Sequence, residues 1–210
     1  MNLISGALLY IQKNQAEFEL ALCTHLELSG LALLFGLLIS IPLGIISAKN
    51  NKLSGFIMGT VNSLRVIPSL AILIIMMPIL GTGFTPALIA LIILSSPPIL
   101  INTYLAFRGV ESQVIESARG MGMDKRQIFF RIELPLAMPL MLSGVRTAAV
   151  EVISSATLAA FIGGGGLGTF IINGLGLYNF SLLLVGAVPV ALLAICSEIL
   201  FGLIERLATK

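Results

Sequence analysis

The chain has 210 residues, a formal net charge of +2 and a mean hydropathy of +1.06; 57% of its residues are hydrophobic and only 10% are charged. Soluble domains run at roughly 45–50% apolar and about 25% charged, so this composition excludes a water-facing globular surface. The bilayer is the expected solvent, the expected fold class is all-α integral membrane, and no nucleic-acid partner is expected.

In chain order, residues 1–25 read as an amphipathic, extracytoplasmic segment. Its start, "MNLISGALLYIQKNQAEFEL", lacks a basic n-region and a small-residue cleavage site, so no cleavable signal peptide is expected. Whether residues 1–20 add a sixth span stays open. A helix needs about 20 apolar residues to cross the hydrocarbon, and five stretches qualify: 26–48, 56–80, 85–107, 136–162 and 182–207. Pro42, Pro68, Pro78, Pro97, Pro98 and Pro189 fall within them or at their edges, where each removes a backbone donor and favours a kink. The loops at 81–85 and 163–180 carry no charge.

Lys49, Lys52, Arg108, Arg119, Lys125, Arg126, Arg131, Arg206 and Lys210 all fall on one side of a five-span arrangement, with Lys13 opposite. The positive-inside rule then puts the N-terminus outside and the C-terminus in the cytoplasm of a multi-pass membrane protein. Cys23 and Cys196 belong to no CxxC pair, and His25 is the only histidine, so neither a disulfide nor a metal site is expected. With Asp124 the only aspartate, the paired-Asp, HExxH and Ser–His patterns of intramembrane proteases are missing as well. No catalytic residue is expected.

The cytoplasmic segment 109–135 is the exception to this apolar composition. Its stretch "ESARGMGMDKRQIFFRIELP", residues 116–135, holds seven charged residues in twenty. Val114, Ile115 and Ala118 give one helical face, Gly122 permits a sharp turn, and Asp124 with Gln127 has the form of a capping box that starts a second helix. Ile128, Phe129 and Ile132 give that helix an apolar face, and Pro135 is expected to end the cytoplasmic run and open the next span.

The spacing Glu116-Ser117-Ala118, three residues, Gly122, nine residues, Ile132, one residue, Leu134-Pro135 resembles the "EAA loop" of permease subunits in binding-protein-dependent ABC importers. Ser117 stands for the second Ala of that pattern. "NSLRVIPSLAIL" (62–73) resembles the start of the second core helix of such permeases. "GVRTAAVEVISSATLAAFIGGGGLG" (144–168) is similar to the permeases for glycine betaine, carnitine, choline and related osmoprotectants, with methionine permeases as the nearest rival.

The resemblance implies a type I ABC importer permease fold over residues 26–207. It also implies a coupling helix that docks in a separate ATPase subunit, which would bind ATP and Mg. Carried over, Glu116, Ser117, Ala118, Arg119, Gly122, Lys125, Arg126, Ile132, Leu134 and Pro135 form the ATPase-coupling element. The implied partners are ABC ATPase subunits, a second permease copy or paralogue, an external substrate-binding protein and the lipid bilayer. The chain itself has no G-x-x-x-x-G-K-[ST], so "GGGGLGTF" is not a phosphate loop and no cofactor is expected here. With no Trp and three Tyr it also has thin material for an aromatic cage around a quaternary ammonium.

Thr147, Glu151, Ser154 and Ser155 make a polar stripe on the fourth span and are candidates for the translocation path. Glu151 lies roughly 24 Å along the helix from Pro135, and an ionisable residue at such depth is a functional candidate. Three placements stay open for it: facing the passage between two permeases, pairing with Arg146 or Arg65, or lining a wet cavity. The resembled family places Gln there, so Glu151 departs from its pattern. A channel or secondary transporter working without an ATPase is the rival class, and the loop spacing argues against it.

Overall fold

The computed structural model describes residues 3–208; Met1 and Asn2 of the N-terminal segment and Lys210 of the basic tail lie outside the described residues. The described chain is helical throughout: α1 (Leu3–Lys13), α2 (Gln15–Lys49), α3 (Asn51–Val66), α4 (Ser69–Leu80), α5 (Phe84–Arg108), α6 (Ser112–Gly120), α7 (Lys125–Ile128), α8 (Leu134–Ala156), α9 (Gly168–Gly176) and α10 (Phe180–Ala208). A π-helical turn, Phe129–Glu133, joins α7 to α8, and a 3₁₀ segment, Thr157–Ile162, follows α8. Among the described residues, four helical runs are long and apolar enough to cross a membrane: Gln15–Lys49, Phe84–Arg108, Lys125–Ile162 and Phe180–Ala208.

The stretch 56–80, expected as one span, is instead broken. Helices α3 and α4 meet at 101°. Pro68 disfavours helical backbone at the residue before it, and Ile67 is extended (φ −76°, ψ 125°). Pro42, Pro78, Pro97, Pro98 and Pro189 all sit inside continuous helices. A proline on its own therefore does not break a helix in this chain.

The N-terminal segment differs too. Helix α2 begins at Gln15 rather than near Leu26, because residues 15–25 contain no Gly or Pro to stop it. Helix α1, with 11 residues, is too short to cross the hydrocarbon. It lies against the end of the bundle, where Tyr10 and Phe18 meet the buried Phe170 of α9 at ring separations of 6.0 and 6.4 Å. The uncharged stretch 163–180, expected as a loop, contains α9.

Helix α5 lies between α2 and α8 at the centre of the bundle. Lipid offers no hydrophobic drive for helices to associate, so membrane helices pack through small residues that let backbones approach. On α2 the buried residues Leu28, Ala32, Gly36, Ser40, Gly44 and Ala48 recur at every fourth position and form one ridge. Gly36 lies against Ser95, and Gly44 against Thr103 and the Leu100 carbonyl. On the other side of α5, Gly144 of α8 lies against Asn102 and the Pro98 carbonyl.

His25 joins α2 to the end of α8. Where α8 tightens into the 3₁₀ segment, the Thr157 N–H turns to the Ser154 carbonyl, which frees the Ile153 carbonyl. His25 is fully buried and its Nε2–H donates to that oxygen at 3.1 Å. His25→Leu removes the donor and leaves a buried acceptor unpaired, which costs about 1–3 kcal/mol. The expected result is a lower midpoint for thermal loss of the monodisperse detergent-solubilised complex; an unchanged midpoint would remove this role from His25.

Candidate functional site

Two features gather the polar residues of this apolar chain. The first is the segment from α6 to the start of α8. Helix α6 buries Ala118 completely and exposes Glu116, Ser117 and Arg119. It ends in a Schellman turn: Met123 N–H donates to the Ala118 carbonyl at 3.1 Å and Gly122 N–H to the Arg119 carbonyl at 2.9 Å. That turn requires left-handed backbone at Gly122, where φ is +81°.

Asp124 then caps α7. Its carboxylate accepts from Gln127 N–H at 2.8 Å, and the Gln127 side-chain oxygen accepts from Asp124 N–H at 3.0 Å. This is the reciprocal box that the sequence spacing predicts. Lys125 and Arg126 stand exposed on α7, and Arg126 lies over the Phe130 ring at 6.0 Å.

Pro135 stands at the start of α8, the helix of the next span. Helix α7, the π turn and α8 are continuous, with Pro135 in the first turn of α8. Proline supplies no N–H to the residue four back, and the π turn adapts the ladder just before it: Leu134 N–H donates to the Phe129 carbonyl, five residues back. Ile132 and Leu134 are half-buried along this stretch.

The same turn is tied to the bundle. Glu133 pairs with Lys49 at the end of α2 at 2.7 Å, Lys49 lies 4.5 Å from the Phe129 ring centre, and Phe129 stacks on Phe107 of α5 at 5.7 Å. These contacts join the π turn to the ends of α2 and α5.

The second feature is a cavity of about 370 Å³ at the bend between α3 and α4. It is lined by Arg65, Pro68, Ser69, Pro97 and Pro98 together with Thr147, Glu151 and Ser155. Thr147, Glu151 and Ser155 are four residues apart and share one face of α8. Ser154 is the exception among the four stripe residues. It is exposed outside the cavity lining, and its hydroxyl donates to the Val150 carbonyl at 2.9 Å.

Of the partners considered for Glu151, Arg146 is engaged elsewhere. It donates through Nε to Glu198 at 2.8 Å and through Nη1 to Glu205 at 3.2 Å, joining α8 to α10. Arg65 lies within electrostatic reach of Glu151 but forms no ion pair with it within 4.0 Å. The stripe read from the sequence did not include Arg65. Arg65 is one of the two partners that the sequence offers for Glu151, and it lines the same cavity.

The family described as "Binding-protein-dependent transport system inner membrane component" matches residues 40–210. The chain is 43% identical over 202 residues to the carnitine transport permease protein OpuCB of Listeria monocytogenes, covering 96% of this chain and 93% of that one. It is 42% identical over 200 residues to the choline transport system permease protein OpuBB of Bacillus subtilis, with 95% and 92% covered. The permease/binding protein EgtU of Helicobacter pylori, described as an ergothioneine transporter, is 38% identical over 172 residues, which are 81% of this chain and 30% of that one.

Among solved structures, an inward-facing MetNI methionine ABC transporter chain superposes with a TM-score of 0.85 at 22% identity, covering 93% of this chain and 98% of that one. The fold is therefore that of type I ABC importer permeases, set in the cytoplasmic membrane by several apolar helices. The chain belongs to the binding-protein-dependent transport system inner membrane components, as a transport permease of the ABC importer class.

Proposed function

We propose that this chain is the membrane subunit through which an ATP-driven importer moves a quaternary ammonium osmoprotectant into the cell. The observation that carries the reading is the identity of 42–43% over nearly the whole chain to permeases described as transporting carnitine and choline. Carnitine and ergothioneine, named for two of the relatives, each carry a trimethylammonium group and a carboxylate. The likeness to a methionine transporter, at 22% identity, bears on fold alone.

In this reading residues 26–207 form the permease domain, residues 1–25 precede it outside, and 109–135 is the coupling loop. The N-terminus is outside and the C-terminus cytoplasmic, on the strength of the Lys and Arg distribution. Separate ATPase subunits bind ATP and Mg and hydrolyse the nucleotide. Glu116, Ser117, Arg119, Lys125 and Arg126 face the docking groove, while Ala118, Gly122, Ile132, Leu134 and Pro135 fix the shape of the docking unit. Two ATPases need two permeases, so a second copy or a paralogue completes a two-fold assembly. An external binding protein selects the solute. Thr147, Glu151, Ser154 and Ser155 mark the path.

ATP-driven closure of the ATPases pulls the docked helices together, and the packed links from Glu133 and Phe129 to α2 and α5 pass that motion to the bundle. The test is uptake by proteoliposomes that hold the permease, its ATPase and its binding protein. ATP-dependent accumulation of glycine betaine or carnitine is the expected result. Accumulation of methionine instead would transfer the reading to an amino-acid importer, and uptake without an ATPase would return it to a channel or secondary transporter.

A further inference from the structure

The cavity at the α3–α4 bend holds two opposite charges on facing walls. Arg65 comes from the last turn of α3 and Glu151 from the middle of α8. Among the described residues neither forms a hydrogen bond or an ion pair within 4.0 Å. Both residues are exposed; ionised groups of membrane-spanning segments ordinarily face the bundle interior or a water-filled cavity and pair with one another or with backbone carbonyls. Here the two line one cavity without contact.

Two further groups point the same way. Ser155 is only 8% exposed, lines the cavity, and its hydroxyl has no hydrogen-bond partner among the described residues. Helix α4 has no side-chain cap, and its first turn opens on the cavity at Pro68 and Ser69. The Ala71 and Ile72 N–H groups return to the Pro68 carbonyl, leaving those of Ser69 and Leu70 without a backbone acceptor. A half-helix N-terminus beside an arginine favours a carboxylate, as broken membrane helices do where they face anionic substrate groups.

We infer that this cavity is a transit subsite for a small zwitterion, with the carboxylate held by Arg65 at the α4 N-terminus and the ammonium facing Glu151. The inference rests on the proposed import of quaternary ammonium solutes and gives that solute a stopping place inside the membrane. The volume of about 370 Å³ lies at the small end of the ~300–1,000 Å³ typical of small-molecule sites. Pro97, Pro98 and Ile72 supply apolar wall for ammonium methyl groups.

Among the described residues no aromatic side chain lines the cavity, so they supply no cation–π contribution of the kind a high-affinity cage uses. Weak holding suits transit, because a solute must leave the site as readily as it enters. Two charges set apart also discriminate. A zwitterion satisfies both, whereas a simple cation leaves Arg65 without its anion.

The test uses the permease–ATPase complex in nanodiscs without binding protein, with ligand contact read by saturation-transfer NMR. Glycine betaine is the zwitterion and tetramethylammonium the cation alone. Arg65→Gln should weaken glycine betaine by about tenfold or more and leave tetramethylammonium within about twofold, because only the carboxylate loses a charged partner. Glu151→Gln should weaken both ligands. Arg65→Lys, which keeps the charge, should recover most of the betaine signal.

Uptake of glycine betaine by the complete wild-type transporter is measured beside it. Uptake with no betaine contact in the complex, or with equal losses of both ligands in both variants, overturns the subsite and leaves the transport reading standing. Absence of both uptake and contact overturns the two together.

Discussion

Glu116→Lys and Gly122→Pro are each expected to abolish most ATP-driven uptake while the permease still inserts in the membrane. The two act differently. Glu116 is exposed on α6, so reversing its charge alters the docking face without touching a buried contact. Gly122 has a φ of +81°, which proline, fixed near −65°, cannot adopt. Proline also removes the N–H that donates to the Arg119 carbonyl at 2.9 Å.

The Schellman turn opens in that variant, and α6 and α7 lose their fixed angle. A rigid element that passes motion between subunits then becomes a hinge. Coupling energies between sites are typically ~1–3 kcal/mol, or about 5–150-fold, so uptake per ATP hydrolysed should fall within that range. Gly120→Ala is the control, because Gly120 is helical and a Cβ there meets nothing within 4 Å. Normal uptake by Gly122→Pro, or an equal loss in Gly120→Ala, would remove the docking role from this turn.

The coupling segment was legible in the sequence because its signals are local. Asp124 and Gln127, three residues apart, write the capping box, and Gly122 writes a turn that needs positive φ. The π turn was not legible. It depends on how Pro135 is accommodated in a helix already held by Phe129 on Phe107 and Glu133 on Lys49, and these contacts span large sequence separations.

The break at Pro68 had a signal that five other prolines share without breaking their helices, so residue type alone did not distinguish it. Arg65 is one of the two pairing partners that the sequence offers for Glu151, but its place in the same cavity, on a different helix from the stripe, is a tertiary feature that no local pattern shows. The engagement of Arg146 by Glu198 and Glu205 likewise brings together residues about fifty or more positions apart.

Gly44→Leu should prevent the bundle from assembling, and Gly44→Ala should already lower its stability measurably. A Cβ at Gly44 would lie 2.7 Å from the Thr103 Cβ, 2.8 Å from its Cγ2 and 3.0 Å from the Leu100 carbonyl oxygen. Thr103 is fully buried and its hydroxyl donates to the Ile99 carbonyl at 2.7 Å, so it has no free direction in which to retreat. The clash therefore falls on the backbone separation between α2 and α5, the central contact of the fold. Overpacking of this kind costs about 1–3 kcal/mol for small additions, and an isobutyl group adds three more carbons than a methyl.

Gly30, on the same helix, has nothing within 4 Å of a built Cβ. Gly30→Ala should be neutral or gain up to about 1 kcal/mol from helix propensity. The comparison is read as the thermal midpoint for loss of monodisperse complex. Equal shifts at the two glycines would mean that propensity governs both positions and that the fourfold ridge on α2 does not set the helix spacing. A fall at Gly44 with none at Gly30 ties the close approach of α2 and α5 to the small residues at every fourth position. It would also give the motion received through Glu133 and Phe129 a stiff pair of helices to act on.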